Sequence, residues 1–195
     1  MQTTIYLVRH GHVHNPEAIH YGRLPRFGLS DEGRRQVDGA AKYLCDKPLA
    51  AIFSSPLLRA RQTAKIIIER HPNLSLRISN LLHEVHSPFD GHSISEMEVR
   101  KWDLYSGTKP PYEQPSDVLK RSQQFMMRVR RQYPGRHILA VTHAGALVFT
   151  MLWARGFPLT AEYQQKYFPA PASIMRFVYQ TEEPEEVPSW DCRET

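Results

Sequence analysis

The sequence predicts a three-layer α/β/α fold, with a mostly parallel central sheet flanked by helices and a lid-like insertion. Three observations carry this reading. Short apolar runs bounded by turn residues recur at Thr3 to Val8, Leu49 to Phe53 and His137 to Val141, the pattern of strands buried on both faces. Segments with apolar residues at helical spacing follow those runs. No Ser/Gly linker or long charge run divides the 195 residues, so one domain is expected over 1–195.

The first run ends in Arg9-His10-Gly11, and the stretch from Gly11 to Phe27, rich in His, Pro and Gly, reads as a loop lining a site. A helix over roughly Asp31 to Cys45 follows. Ser30 is placed to cap it, Asp31 and Glu32 suit its positive end, and Val37, Ala40, Ala41 and Leu44 share a face. After the second run, Ser55 is expected to cap a helix that opens at Pro56, buries Ala60, Ala64, Ile67 and Ile68, and carries Arg59 in its first turn. Leu74 to Ile78 is a weaker strand.

A polar, aromatic and Pro-rich excursion follows and reads as a lid over about 85–115. Ser93-Ile94-Ser95-Glu96 has the spacing of a capping box and predicts a short helix there. Ser116 to Tyr133 is helical, with Val118, Phe125, Met126, Val129 and Tyr133 on one face, which leaves its arginines and lysine for water. The clearest strand, His137 to Val141, leads through Thr142-His143-Ala144-Gly145 to an apolar helix over Ala146 to Ala154. A last strand is expected over Ser173 to Tyr179, then a surface tail over about 181–195.

The two cysteines, Cys45 and Cys192, lie far apart and outside any Cys-x-x-Cys spacing, which fits a reduced, cytoplasmic setting. Neither a basic leader with an apolar stretch nor a membrane-length apolar run is present, so no membrane association is expected. The net charge of +5 and pI near 9.3 suit a phosphorylated ligand or nucleic acid. The arginines are scattered along helices without interleaved stacking aromatics, so a solvated basic surface explains most of them and no nucleic-acid partner is expected.

Three strand-to-helix junctions bring His10 with Arg9, then Arg59, then His143 to one sheet edge. Arginine forks match phosphate oxygens, and helix N-termini add positive potential. Neutral imidazole is a competent nucleophile towards phosphorus, and positive groups around a transferring phosphoryl lower its barrier. Each element alone has a bland alternative: a turn arginine, a strand-end histidine, a helix-face charge. Their convergence favours a site for a tetrahedral oxyanion.

These residues resemble the histidine phosphatase (phosphoglycerate mutase-like) superfamily. The likeness runs through Leu7-Val8-Arg9-His10-Gly11, Leu29-Ser30-Asp31-Glu32-Gly33, Ser54-Ser55-Pro56-Leu57-Leu58-Arg59-Ala60-Arg61-Gln62-Thr63-Ala64, Leu82-His83-Glu84 and Val141-Thr142-His143-Ala144-Gly145, spanning about residues 4 to 180 in order. The resemblance implies a cofactor-independent phosphomonoester hydrolase acting on a small phosphorylated metabolite. His10 would become phosphohistidine, Arg9, Arg59 and His143 would hold phosphoryl oxygens, and Glu84 would act as general acid and then base. No metal is required.

This chain also departs from the pattern. His12 stands where many members carry an acidic residue or Gln, and Asn15 comes one residue earlier than the usual asparagine, a shift that weighs against its contact with phosphate; both are kept as candidates for substrate contact. Phe89-Asp90-Gly91 stands where relatives often show Trp-Glu-Gly, so Asp90 is a reserve general acid. No Arg- and Tyr-rich segment follows Glu84, which favours phosphatase over mutase. Two alternatives remain: a metal-dependent hydrolase using His10, His12 and His14 at alternating positions, and a non-catalytic phospholigand binder.

Overall fold

Alternation along the first strand sets the layering. The computed structural model describes residues 2–180 and 184–187. In β1 (Thr3–Arg9) Tyr6 and Val8 join one buried cluster and Ile5 and Leu7 another, so both faces of the strand are covered. The Tyr6 face packs on α1 (Asp31–Leu44) and α2 (Leu58–Ile68) through Val37, Ala41, Ala60 and Ile67. The opposite face packs on α4 (Pro115–Gln132) and α5 (Ala144–Ala154) through Phe125, Met126, Val129 and Leu147.

The sheet also contains β2 (Leu49–Ser54), β3 (Leu76–Ile78), β4 (His137–Thr142), β5 (Ile174–Tyr179) and β6 (Pro184–Val187), in the order β3-β2-β4-β1-β5-β6. β3, β2, β4 and β1 run parallel; β5 is antiparallel to β1, and β6 to β5. The predicted α/β/α class therefore stands. Because β4 lies between β2 and β1, the chain reverses its direction of progress along the sheet there, the arrangement that opens a crevice at strand carboxyl ends. Arg9 pairs with Thr142 and Ser54 with Val141, so these ends lie level.

The excursion between the Glu84 segment and α4 is packed rather than loose. A third cluster joins Met97, from α3 (Ile94–Val99), with Leu104 and Tyr105 of the excursion, Val118 of α4, and Phe149 and Met151 of α5. Each such burial contributes about 1.5–3 kcal/mol, enough to hold the segment against α5. The predicted capping box is formed: Ser93 accepts from Glu96 N–H, and the Glu96 carboxylate accepts from Ser93 N–H.

Several boundaries differ from the sequence reading. α2 opens at Leu58 without a side-chain cap, so Ser55 and Pro56 precede it, and α5 opens at Ala144, directly after His143. A short helix, α6 (Ala161–Lys166), capped by Thr160, was not anticipated. Of the expected tail, Pro184–Val187 forms β6 on β5; the remainder lies outside the described residues. Among the described residues, no helix is long and apolar enough to cross a membrane.

Candidate active site

Backbone bonds beyond the strand ends bring the first histidine into place. His10 N–H donates to Thr142 O at 3.1 Å, and His10 O accepts from Ala172 N–H at 3.2 Å, so the residue is held between two strands' continuations. Ser55 N–H donates to Val141 O at 2.9 Å. His10, Ser55 and His143 thus emerge together from three adjacent parallel strands.

Glycine is required where these junctions meet their neighbours. A Cβ on Gly11 would lie 2.5 Å from Gly33 O, and one on Gly33 would lie 2.0 Å from His12 O, so the turn after His10 seats directly on the first turn of α1. This explains why Arg-His-Gly and Ser-Asp-Glu-Gly occur as a pair. A Cβ on Gly145 would lie 2.4 Å from Val85 Cγ2 and 2.9 Å from Glu84 Oε1. Gly145 therefore admits the Glu84 carboxylate beside the N-terminus of α5.

The hydrogen bonds fix the tautomer of His10. Its Nδ1 lies 2.8 Å from Gly11 O, which can only accept, so the proton resides on Nδ1 and Nε2 carries the lone pair. Arg59 Nε–H donates to that lone pair at 3.1 Å. Burial, then Arg59, hold both His10 and His143 well below the usual imidazole range. His10 is consequently an uncharged imidazole with an available Nε2.

Arg59 is fully buried in the first turn of α2. Its Nη2 donates to Gly22 O at 2.6 Å, its guanidinium lies 4.7 Å from the Tyr21 ring centroid, and Nη1 has no partner. His143 is fully buried, 5.1 Å from His10 between ring centroids. Its Nε2 meets Ser55 Oγ at 2.7 Å, and its Nδ1 has no partner. The freedom of Ser55 to orient His143 follows from α2 starting later than predicted. Unpartnered polar atoms this deep are costly unless a ligand completes them.

In front of His10 lies a cavity of about 480 Å³. Arg9, His10 and Glu84 line it, with Arg9 stacked on Phe168 at 4.8 Å and donating to Pro169 O. Arg59 and His143 adjoin the His10 ring but do not line the cavity. Glu84 Oε1 accepts from Val85 N–H at 2.9 Å. Asp90 does not line the cavity: its Oδ2 accepts from Arg23 N–H, its Oδ1 lies 3.7 Å from His20, and burial raises its pKa.

His12 and Asn15 are not brought to the cavity. His12 is exposed and bonds Ser30 Oγ through Nδ1, while the Asn15 carboxamide closes on the backbone of Ile19 at both ends. His14 is also exposed, so the alternation from His10 to His14 does not converge on one point. Among the described residues, no three His, Cys, Asp or Glu side chains group as a metal ion would need.

Some contributors escaped the sequence reading. Arg121, expected to face water, is only 11% exposed: it pairs with Glu113 at 2.7 Å and donates to the carbonyls of Leu81 and Glu84. Arg23 also pairs with Glu113 and donates to Glu84 O at 2.8 Å, so the Glu84 backbone is clamped from two directions. Tyr21 and Gln164 line the cavity. For Gln164, the Thr160 cap followed by Glu162 was a usable helix signal; Tyr21 offered none.

The buried histidines make stability sensitive to acid. Unfolded imidazoles titrate near 6.5, whereas folded His10 and His143 titrate well below, and His83 is pushed down to about 4 by burial and then by Arg23. Between 6.5 and the native values, only the unfolded chain binds these protons. Stability should be insensitive to these groups above pH 6.5 and fall below it, by up to about 1.4 kcal/mol per pH unit for each of His10 and His143. Urea midpoints between pH 8 and 5 measure this; a flat profile from 6.5 to 5 would mean the native imidazoles protonate freely.

An imidazole flanked by two arginines at the carboxyl ends of parallel strands is suited to an anionic ligand. The Histidine phosphatase superfamily (branch 1) profile matches residues 5–191, and the chain belongs to this superfamily. The chain is 33% identical over 149 residues to uncharacterized protein Rv0525 of Mycobacterium tuberculosis (strain ATCC 25618 / H37Rv), covering 73% of each chain. Bacillus stearothermophilus YhfR superposes with a TM-score of 0.84 at 23% identity, covering 97% of each chain. Mycobacterial glucosyl-3-phosphoglycerate phosphatase Rv2419c superposes at 0.78 and 22%, covering 96% of this chain and 97% of that one. At these identities the two structures speak for the fold.

Proposed function

We propose that the protein is a phosphomonoester hydrolase that acts on a small phosphorylated metabolite through a phosphohistidine at His10. The observation that carries this is the Nδ1 proton on Gly11 O, which leaves Nε2 as an unprotonated nucleophile beside a buried guanidinium with a vacant Nη1 donor.

In the first step the His10 Nε2 lone pair forms the N–P bond as the ester O–P bond breaks. Glu84, lining the same cavity, protonates the departing alcohol oxygen. In the second step Glu84 takes a proton from water, the hydroxyl attacks phosphorus, and the N–P bond breaks to restore His10. Arg9, Arg59 and His143 hold the phosphoryl oxygens; Arg59 does so by turning from Nε2 towards the incoming anion. Placement of Glu84 in the cavity and of Asp90 outside it supports Glu84 as the acid. His12 and Asn15 would reach substrate only if their loop opened.

The test is p-nitrophenyl phosphate turnover with and without EDTA, then Glu84→Gln and Asp90→Asn on an activated and an alkyl phosphate. Turnover should survive EDTA, and Glu84→Gln should lose about 10²-fold more on the alkyl ester, which needs protonation. Loss of activity with EDTA would favour the metal reading instead, and a leaving-group effect confined to Asp90→Asn would transfer the acid role.

A further inference from the structure

The cavity in front of His10 carries few charged groups. Its charged lining groups are Arg9, which lies over the Phe168 ring, and Glu84. The rest of the wall is mostly apolar, with Ile19, Ile94, Trp102, Leu104 and Phe168, and includes the half-buried rings of His20 and Tyr21 and the exposed Gln165. Among the described residues, no lysine and no arginine other than Arg9 line it. Nearby cations are engaged elsewhere: Arg23 and Arg121 on Glu113, and Arg100 over the Phe89 ring at 4.1 Å.

One buried polar side chain interrupts this wall. Gln164 is 6% exposed and its Oε1 accepts from Tyr105 O–H at 2.9 Å, so the carboxamide offers its nitrogen. A second phosphate or a carboxylate on the substrate would meet a mostly apolar wall whose one arginine, Arg9, is taken by the first phosphoryl group in the proposed reaction, which is costly. An aromatic or aliphatic group would gain by leaving water.

We propose that the site selects phosphomonoesters of uncharged, largely apolar or aromatic alcohols and rejects those bearing a second anionic group, with Gln164 as the fixed donor for one acceptor on the alcohol. This rests on the phosphatase reading of the same cavity. It sets the chain apart from a neighbour named for glucosyl-3-phosphoglycerate, whose carboxylate would be unpaired here.

The experiment separates binding from turnover. Calorimetry compares benzylphosphonate with phosphonoacetate, which are not hydrolysed, and kinetics compares 2-phenylethyl phosphate with 3-phosphoglycerate, both esters of primary alcohols. The aromatic member of each pair should be favoured by about 10- to 100-fold, the ratio expected for burying one ring-sized apolar group. Gln165→Lys, at an exposed position on the rim, should shrink the kinetic ratio by raising kcat/KM for 3-phosphoglycerate.

Equal or inverted preferences in binding, or an unchanged ratio in Gln165→Lys, would overturn the selectivity. Tighter benzylphosphonate binding with neither ester hydrolysed would leave the selectivity standing and sink the phosphatase reading. Hydrolysis of both esters at equal efficiency would do the reverse.

Discussion

His10→Ala should lower kcat for p-nitrophenyl phosphate by roughly 10⁴- to 10⁶-fold, the scale of losing a covalent nucleophile. Brief reaction of the wild-type protein with labelled substrate, followed by an alkaline quench, should leave label on His10, and acid should release it. The stability of the adduct matters because a second nucleophile is close. Ser55 Oγ sits 2.7 Å from His143 Nε2, a serine and a base within hydrogen-bond reach, both fully buried. A phosphoserine would survive acid and be lost in alkali. His10 lines the cavity and Ser55 does not, so the nitrogen adduct is expected. An acid-stable adduct, or less than a tenfold loss in His10→Ala, would remove His10 from the central role.

The features legible in the sequence were those that local rules control. A strand buried on both faces must be apolar throughout, so β1 and β4 announced themselves, and α1 and α4 showed one apolar face each. The Arg-His-Gly turn and the His143 junction followed from where those strands ended. Tertiary partners decided the rest. Arg121 reads as solvated from its helix alone, and Glu113, brought in by the excursion, together with the carbonyls of Leu81 and Glu84, makes an inward guanidinium tolerable. Ser55 looked like a cap because serine before proline usually is one; the histidine that claims its hydroxyl lies 88 positions away. Asn15 and His12 were assigned by loop position, and local bonds to Ile19 and Ser30 turn both from the cavity. Gly145 is the clearest instance: its need to lack a Cβ depends on Glu84 and Val85, which no neighbouring residue encodes.

Arg59→Lys should reduce kcat/KM by about 10³-fold with little recovery of function despite the retained charge, because the position uses the planar fork rather than a point charge. Arg59 addresses two partners at once, Nε to His10 and Nη2 to Gly22 O, and keeps Nη1 unpartnered for the phosphoryl oxygen of the proposed reaction. An ammonium on a flexible stem cannot serve both partners and a phosphoryl oxygen, and it gives up the planar face that Arg59 lays on Tyr21 at 4.7 Å. Desolvation compounds the loss. Arg59 is fully buried, and burial already presses its pKa down; a guanidinium keeps its proton under that pressure, whereas an amine there tends to shed it. The variant would then present a neutral group where transition-state charge needs a cation. Kinetics with benzylphosphonate binding as a second readout divides the effect. If Arg59 works chiefly on the transition state, kcat falls more than ligand affinity. Unchanged thermal stability excludes simple misfolding, and a loss below tenfold would assign phosphoryl stabilisation to Arg9 and His143.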